Sequence, residues 1–316
     1  MSGNTQNKAA EHDMRIGKSK RARAISKNQL RKTTRTPRRS VLLTAVMCVM
    51  LVYSLIPLVW LVINSTKTQA SLFSTFGLSF SGHFALWDNI VGTFTYGGGE
   101  FGRWLLNTLL YVIVGAGGAT VLATLAGYGL AIFTFPGKRA VFAMILGTIA
   151  IPGTALAVPT FLMFSALGIT NSPWAVIIPS LISPFGLYLI WTFAADALPV
   201  ELLEAARIDG AGEFRIFRSI TLRLLMPGFV TVLLFTFVAT WNNYFLPLIM
   251  LSSSNMYPLT VGLAQWQQQA SGGGGTVPLF NLVITGSFIS VIPLVVAFLY
   301  LQRYWQTGLA TGGVKG

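Results

Sequence analysis

The chain has 316 residues, 53% of them hydrophobic and only 10% charged, against roughly 25% charged in a soluble globular domain. That balance points away from a large soluble core and toward a membrane. The net charge of +13 invites a nucleic-acid reading, but 12 of the 22 basic residues lie between Lys8 and Arg39, in a stretch with no Phe, Trp or Tyr on which bases could stack.

Residues 1–40 therefore read as a basic, disordered cytoplasmic tail with weak attraction to anionic membrane lipid and no nucleic-acid partner. Residues 41–316 read as one transmembrane domain. Six apolar runs, at 41–63, 105–133, 140–167, 174–193, 229–251 and 282–301, contain no Asp, Glu, Lys, Arg or His. The shortest has 20 residues, enough at about 1.5 Å per residue to cross a hydrocarbon core of about 30 Å. Lipid offers the backbone no hydrogen-bond partners, so each run is expected to be a helix. The expected fold is an all-α, polytopic membrane protein with six transmembrane helices.

The first run, with 23 residues, exceeds a secretory h-region and reads as a retained anchor. It holds the single cysteine, Cys48, so no disulfide framework is expected. Residues 64–104, with Trp87, Tyr96 and Gly97-Gly98-Gly99, form an expected external loop too short for a domain of its own. The second run has small residues at Gly115, Ala119, Ala123 and Gly127, a ridge that lets another helix approach and places this span inside the bundle. Prolines fall in five runs, at Pro57, Pro152, Pro159, Pro179, Pro184, Pro247 and Pro293. Each invites a kink, which suits a cavity and which a static bundle also tolerates. After the fifth run, the uncharged stretch 252–280 combines a partly ordered segment around Trp266 with a flexible link at Gly272 to Gly275.

Basic residues follow the even-numbered runs: Lys138 and Arg139; Arg207, Arg215, Arg218 and Arg223; Arg303 and Lys315. Only Lys67 and Arg103 follow the odd ones. The positive-inside rule then predicts a multi-pass cell-membrane protein with both termini cytoplasmic.

The spans offer no ionisable group to partner a coupled ion, which disfavours a pump or ion-driven carrier. Neutral groups remain. Asn107, Trp241, Asn242, Asn243 and Tyr244 could hydrogen-bond sugar hydroxyls and stack on sugar faces, or could serve interhelical packing. With only His12 and His83 and no paired carboxylates within the apolar runs, neither a catalytic nor a metal site is expected. Gly17-Lys18-Ser19 has His12 where a phosphate-binding loop needs glycine, so energy must come from a separate subunit.

The charged loop at about 196–226 is the most informative segment. Pro199 fits a first helical turn, Glu201 and Glu204 favour the helix dipole, and Gly210 can end the helix in a left-handed conformation. A second short helix is expected to gather Phe214, Phe217 and Ile220 on an apolar face before Pro227 opens the fifth span. On these grounds alone the loop is an interfacial helix pair or a docking site for a partner.

Glu204-Ala205-Ala206, then Gly210 after three residues and Ile220 after nine more, resembles the "EAA" signature of permease subunits in binding-protein-dependent ABC importers. The run through Ile208-Asp209-Gly210 is similar to the carbohydrate branch. Arg103-Trp104-Leu105-Leu106-Asn107-Thr108, Trp241-Asn242-Asn243-Tyr244 with Pro247-Leu248, and Tyr257-Pro258-Leu259-Thr260 agree with it. The ending Gln302-Arg303-Tyr304 with Gly312 to Gly316 resembles the maltose-type partner that has a short first external loop. One departure is Leu222-Arg223, where the family usually has Leu-Pro.

The resemblance implies a sugar or oligosaccharide permease working with a second permease subunit, an ATPase dimer that binds ATP and Mg, and an extracytoplasmic sugar-binding protein. It implies ATPase coupling through Glu204, Ala205, Ala206, Asp209, Gly210, Ile220 and Pro227, and an ATPase contact for Gly313, Lys315 and Gly316. Alternatives left open are import of a peptide, polyol or other neutral solute, and a membrane assembly subunit that transports nothing.

Overall fold

The computed structural model describes residues 40–272 and 279–312. The basic tail, the glycines at 273–275, and Gly313, Lys315 and Gly316 lie outside the described residues. Among the described residues every regular element is helical. The chain divides into a unit ending at Leu58, which carries most of α1 (Val41–Ser65), and a body running from Val59.

Among the described residues four helices are long and apolar enough to span: α1, α4 (Glu100–Ile132), the stretch Pro173–Ala197 and the 280–304 part of α14 (Phe280–Gly312). Two further candidates are bent pairs, so the count is four, or up to six if each pair is one span. The first pair, α5 (Lys138–Ile149) and α6 (Gly153–Ala166), turns by 103° where one continuous helix over 140–167 is expected. Pro152 favours the break, because its ring disfavours the helical conformation at Ile151 and it has no N–H for the carbonyl one turn back. The last amides of α5 tighten instead, Ala150 N–H onto Gly147 and Ile151 N–H onto Thr148. Pro159, by contrast, is carried inside α6.

The run 229–251 also differs from expectation. It divides into α11 (Met226–Trp241) and α12 (Phe245–Met250). The Asn242 side chain takes the Val238 carbonyl at 2.9 Å, competing with the backbone for it. Pro247 cannot donate to the Asn243 carbonyl, and that oxygen accepts the Thr260 hydroxyl at 2.7 Å instead.

Inside the body, α4 packs along α8 (Pro184–Ala197), the continuation of α7 (Pro173–Ser180), and against α11; α11 in turn packs on α14. The small-residue ridge makes this approach possible, as expected. Ala119 and Ala123 are buried, and a Cβ at Gly127 would fall 2.8 Å from Ile190 and 2.9 Å from the Leu187 carbonyl. Thr120 and Thr236 link α4 to α11 through their hydroxyls at 3.0 Å.

Residues 64–104 are more structured than the expected loop. They contain α2 (Gln69–Ser74) and α3 (Leu86–Thr95), held by buried polar side chains. Lys67 is fully buried and its Nζ donates to the Phe76 carbonyl at 2.9 Å, while Asn89 donates to the carbonyls of Ser65 and Lys67. Asn281 on α14 completes the knot by donating to Asn89 Oδ1 at 2.8 Å.

Candidate functional site

The charged loop folds as α9 (Val200–Ile208) and α10 (Glu213–Leu224), followed by a 78° bend into α11. Pro199 caps α9 in extended conformation and Glu201 lies in its first turn. Gly210 has φ +79°; its N–H bonds to Arg207 and that of Ala211 to Ala206, both at 3.0 Å. This paired closure on a left-handed residue is the Schellman motif, which satisfies carbonyls that a helix end otherwise leaves open.

Three buried side chains seat the loop on the bundle: Leu203 of α9, Ile216 of α10, and Leu225 at the bend, each wholly inaccessible. Phe217 packs its ring 5.3 Å from that of Tyr128 on α4. The expected apolar face is therefore corrected at one position. Ile216, Phe217 and Ile220 turn inward, but Phe214 is 77% exposed because it lies on the opposite side of α10 from Ile216.

Glu204, Ala205, Asp209 and Gly210 are exposed, and Ala206 and Ile220 are half-buried. Ile208, 87% exposed, and Phe214 add two apolar side chains to this outward surface. Pro227 lies in the first turn of α11, and Arg223 is exposed in the last turn of α10, where the chain remains helical without the usual proline. Arg207 Nε donates to Glu213 Oε1 at 2.6 Å and ties the end of α9 to the start of α10. The guanidinium holds the Glu213 carboxyl below its usual range, and the carboxylate raises Arg207 in return. Both groups are well exposed, so the pair fixes geometry more than it adds stability.

Of the second group of candidate residues, Asn107 alone turns to the segment after α12, together with its neighbours on α4. Along one face of α4, Arg103 donates to Asn255 Oδ1 at 2.6 Å, Trp104 to the Ser254 carbonyl at 3.0 Å, and Tyr111 to the Met256 carbonyl at 2.7 Å. Asn107 donates to the carbonyls of Asn255 and Tyr257 at 2.8 and 3.0 Å, and Thr108 accepts the Leu259 N–H at 2.8 Å. From the other side Asn171, at φ +51°, accepts the N–H groups of Ser252 and Ser253. A Cβ at Gly262, on α13 (Leu259–Gly272), would fall 2.2 Å from the Trp104 ring, so only glycine leaves that ring its seat.

Both amide protons of Asn107 are thus engaged with backbone. Trp241 is buried and stacks on Phe237 at 5.6 Å, in the cluster that holds Trp104 and Trp266. Asn242 and Tyr244 are exposed at the helix break, with Asn243 half-buried between them. Sequence reasoning missed Asn171, Ser254 and Asn255 because single polar residues in an uncharged connection carry no periodic signal.

A family model for the binding-protein-dependent transport system inner membrane component matches residues 36–309. The arabinooligosaccharides transport system permease protein AraQ of Bacillus subtilis is 30% identical over 264 residues, covering 83% of this chain and 91% of that protein. The lactose transport system permease protein LacG of Rhizobium radiobacter is 30% identical over 267 residues, with the same two coverages, 83% and 91%. The fold is shared with a chain from the crystal structure of a bacterial ABC transporter involved in the import of the acidic polysaccharide alginate, at a TM-score of 0.73 and 20% identity over 86% of this chain and 98% of that one.

Proposed function

This chain belongs to the family of binding-protein-dependent transport system inner membrane components, and from that premise we propose that it is a permease subunit of an ATP-driven importer passing a sugar or oligosaccharide through the membrane. Relatives named as arabinooligosaccharide and lactose permeases support the carbohydrate class. In this reading the chain works beside a second permease subunit, receives its solute from an extracytoplasmic binding protein and hydrolyses no ATP itself. ATP and Mg bind to a partner ATPase dimer.

The observation that carries the reading is the form of the 199–225 loop. It is anchored by Leu203 and Ile216, closed at Gly210, and presents Glu204, Ala205 and Asp209 outward beside Ile208 and Phe214. Small alanines admit a partner backbone closely, and a carboxylate supplies a directed, charge-assisted contact. Movement of the ATPase then reaches the bundle through buried side chains rather than a slack connection. The loop and both termini face the cytoplasm in this reading, which the distribution of Lys and Arg supports, and the tail residues Gly313, Lys315 and Gly316 add a second contact with the ATPase. Asn242, Asn243 and Tyr244 meet the solute at the helix break, with Asn107 and Trp241 supporting them. Two readings compete with this one: import of another neutral solute, and a subunit that assembles without transporting.

Vesicles holding the two permeases and the ATPase, supplied with binding protein and ATP, should accumulate labelled oligosaccharide. Glu204→Lys should abolish uptake at normal membrane levels, because it sets an unpaired cation in the docking groove. ATP-independent accumulation, or full activity of the lysine variant, would overturn the proposal.

A further inference from the structure

A cavity of about 540 Å³ lies where α4 ends, α5 begins and α8 passes beside them. Its rim carries Lys138 and Arg139, its wall is Leu130, Phe135, Phe142 and Trp191, and no Asp or Glu lines it. We propose that this cavity binds an anionic glycerophospholipid, with the headgroup phosphate between Lys138 and Arg139 and acyl chain against the aromatic wall.

The two cations are held differently. Lys138 Nζ donates to the carbonyls of Phe133 and Ala131 at 3.0 and 3.4 Å, which caps the end of α4 and leaves one ammonium proton for a ligand. The Arg139 side chain is exposed and makes no hydrogen bond or ion pair among the described residues, so its whole fork is available to a phosphate. Beneath them Phe142 and Trp191 lie 4.4 Å apart, ring to ring, an apolar surface ending in a polar rim.

The surroundings are those of a membrane surface. No residue of α5 is buried, and Leu146, one turn on from Phe142, continues the apolar face outward at 42% exposure. Tryptophans such as Trp191 collect at the level of lipid headgroups, and basic pockets between membrane helices recognise acidic lipids. A neutral lipid would leave both cations with a net charge unmatched in a partly enclosed site. The assignment of the cavity to the cytoplasmic leaflet rests on the orientation proposed above; the binding chemistry does not.

The test is native mass spectrometry of the purified full-length chain in detergent, titrated with phosphatidylglycerol and phosphatidylcholine of matched acyl chains. Phosphatidylglycerol should be retained preferentially. Arg139→Gln should weaken its binding about fivefold, as expected for one interfacial cation, without changing that of phosphatidylcholine. Trp191→Ala should weaken binding of the whole lipid while leaving the protein monodisperse. Equal retention of the two lipids, or no effect of Arg139→Gln, would overturn the proposal. So would full competition by glycerophosphoglycerol lacking acyl chains, which would make this a site for soluble anions. A protein occupant would appear as crosslinking of a cysteine at Arg139 to a partner chain in the assembled importer, and would equally refute a lipid site. None of these readings uses transport, so they stand apart from the test of the importer proposal.

Discussion

Replacing Gly210 in a graded series, by Asn, Ala and Pro, separates the turn that closes α9 from the rest of the loop. Its φ of +79° lies in the left-handed region, and a Cβ there would meet nothing within 4 Å, so any cost is in the backbone alone. For alanine that cost is roughly 1–2 kcal/mol, and asparagine tolerates the conformation better. A change of that size shifts a local equilibrium by about 5–30-fold. Proline cannot adopt the angle at all, and it removes the N–H that bonds to the Arg207 carbonyl at 3.0 Å. Leu203 and Ile216 are wholly buried on either side of the turn and are untouched by these substitutions, so insertion and the thermal midpoint in detergent should change little. ATP-driven oligosaccharide uptake by vesicles, normalised to membrane level, should fall in the order Gly, Asn, Ala, Pro, with proline near background. Uptake by the proline variant at the unmodified rate, or equal loss in all three, would refute the reasoning that the closed turn transmits coupling.

Asn107→Asp keeps the acceptor but loses both amide donors to the carbonyls of Asn255 and Tyr257. It should lower stability by about 1–3 kcal/mol, seen as a lower unfolding midpoint; an unchanged midpoint with an altered KM for the solute would instead make Asn107 a substrate ligand. Gly262→Ala, which drives a methyl into the buried Trp104 ring, should cost about 1–3 kcal/mol in the same measurement, and an unshifted midpoint would show that the ring has another seat. In a Cys48→Ser background, single cysteines at Ser81 and Ser271 should react with an impermeant thiol reagent in whole cells and one at Arg215 should not. Labelling of the last would invert the orientation. Because Arg207 depresses the Glu213 pKa, their link is complete above the usual glutamate range and is lost as pH falls through the lowered value. Amide exchange of residues 210–214 should therefore quicken in acid in the parent and be pH-independent, beyond intrinsic chemistry, in Glu213→Gln; the same acid response in both would refute the link.

Much of the architecture is local and could be read along the chain. The apolar runs became α1, α4, Pro173–Ala197 and α14 because a helix satisfies its own backbone within a few residues, which lipid demands. Gly210 was legible for the same reason, since closure on a left-handed residue is a common local helix end that glycine adopts without strain. The breaks at 150–152 and 242–244 were not legible. Pro159 and Pro293 are carried within helices while Pro152 ends one, and at Pro247 the decision rests on whether a distant hydroxyl, that of Thr260, takes up the freed carbonyl.

The sequence by itself determined that this is a helical membrane protein, that the second span carries a close-packing ridge, and that a charged helix pair lies between spans. Tertiary structure decided what the polar residues do. Trp104 and Asn107 bond to a segment 150 residues away, Asn171 to one 82 residues away, and Phe214 turns outward while Ile216 turns in. Helix hydrogen bonds close within four residues, so residue type and spacing specify them. Side-chain bonds between remote segments depend on the path of the intervening chain, and only the packed helices set that path.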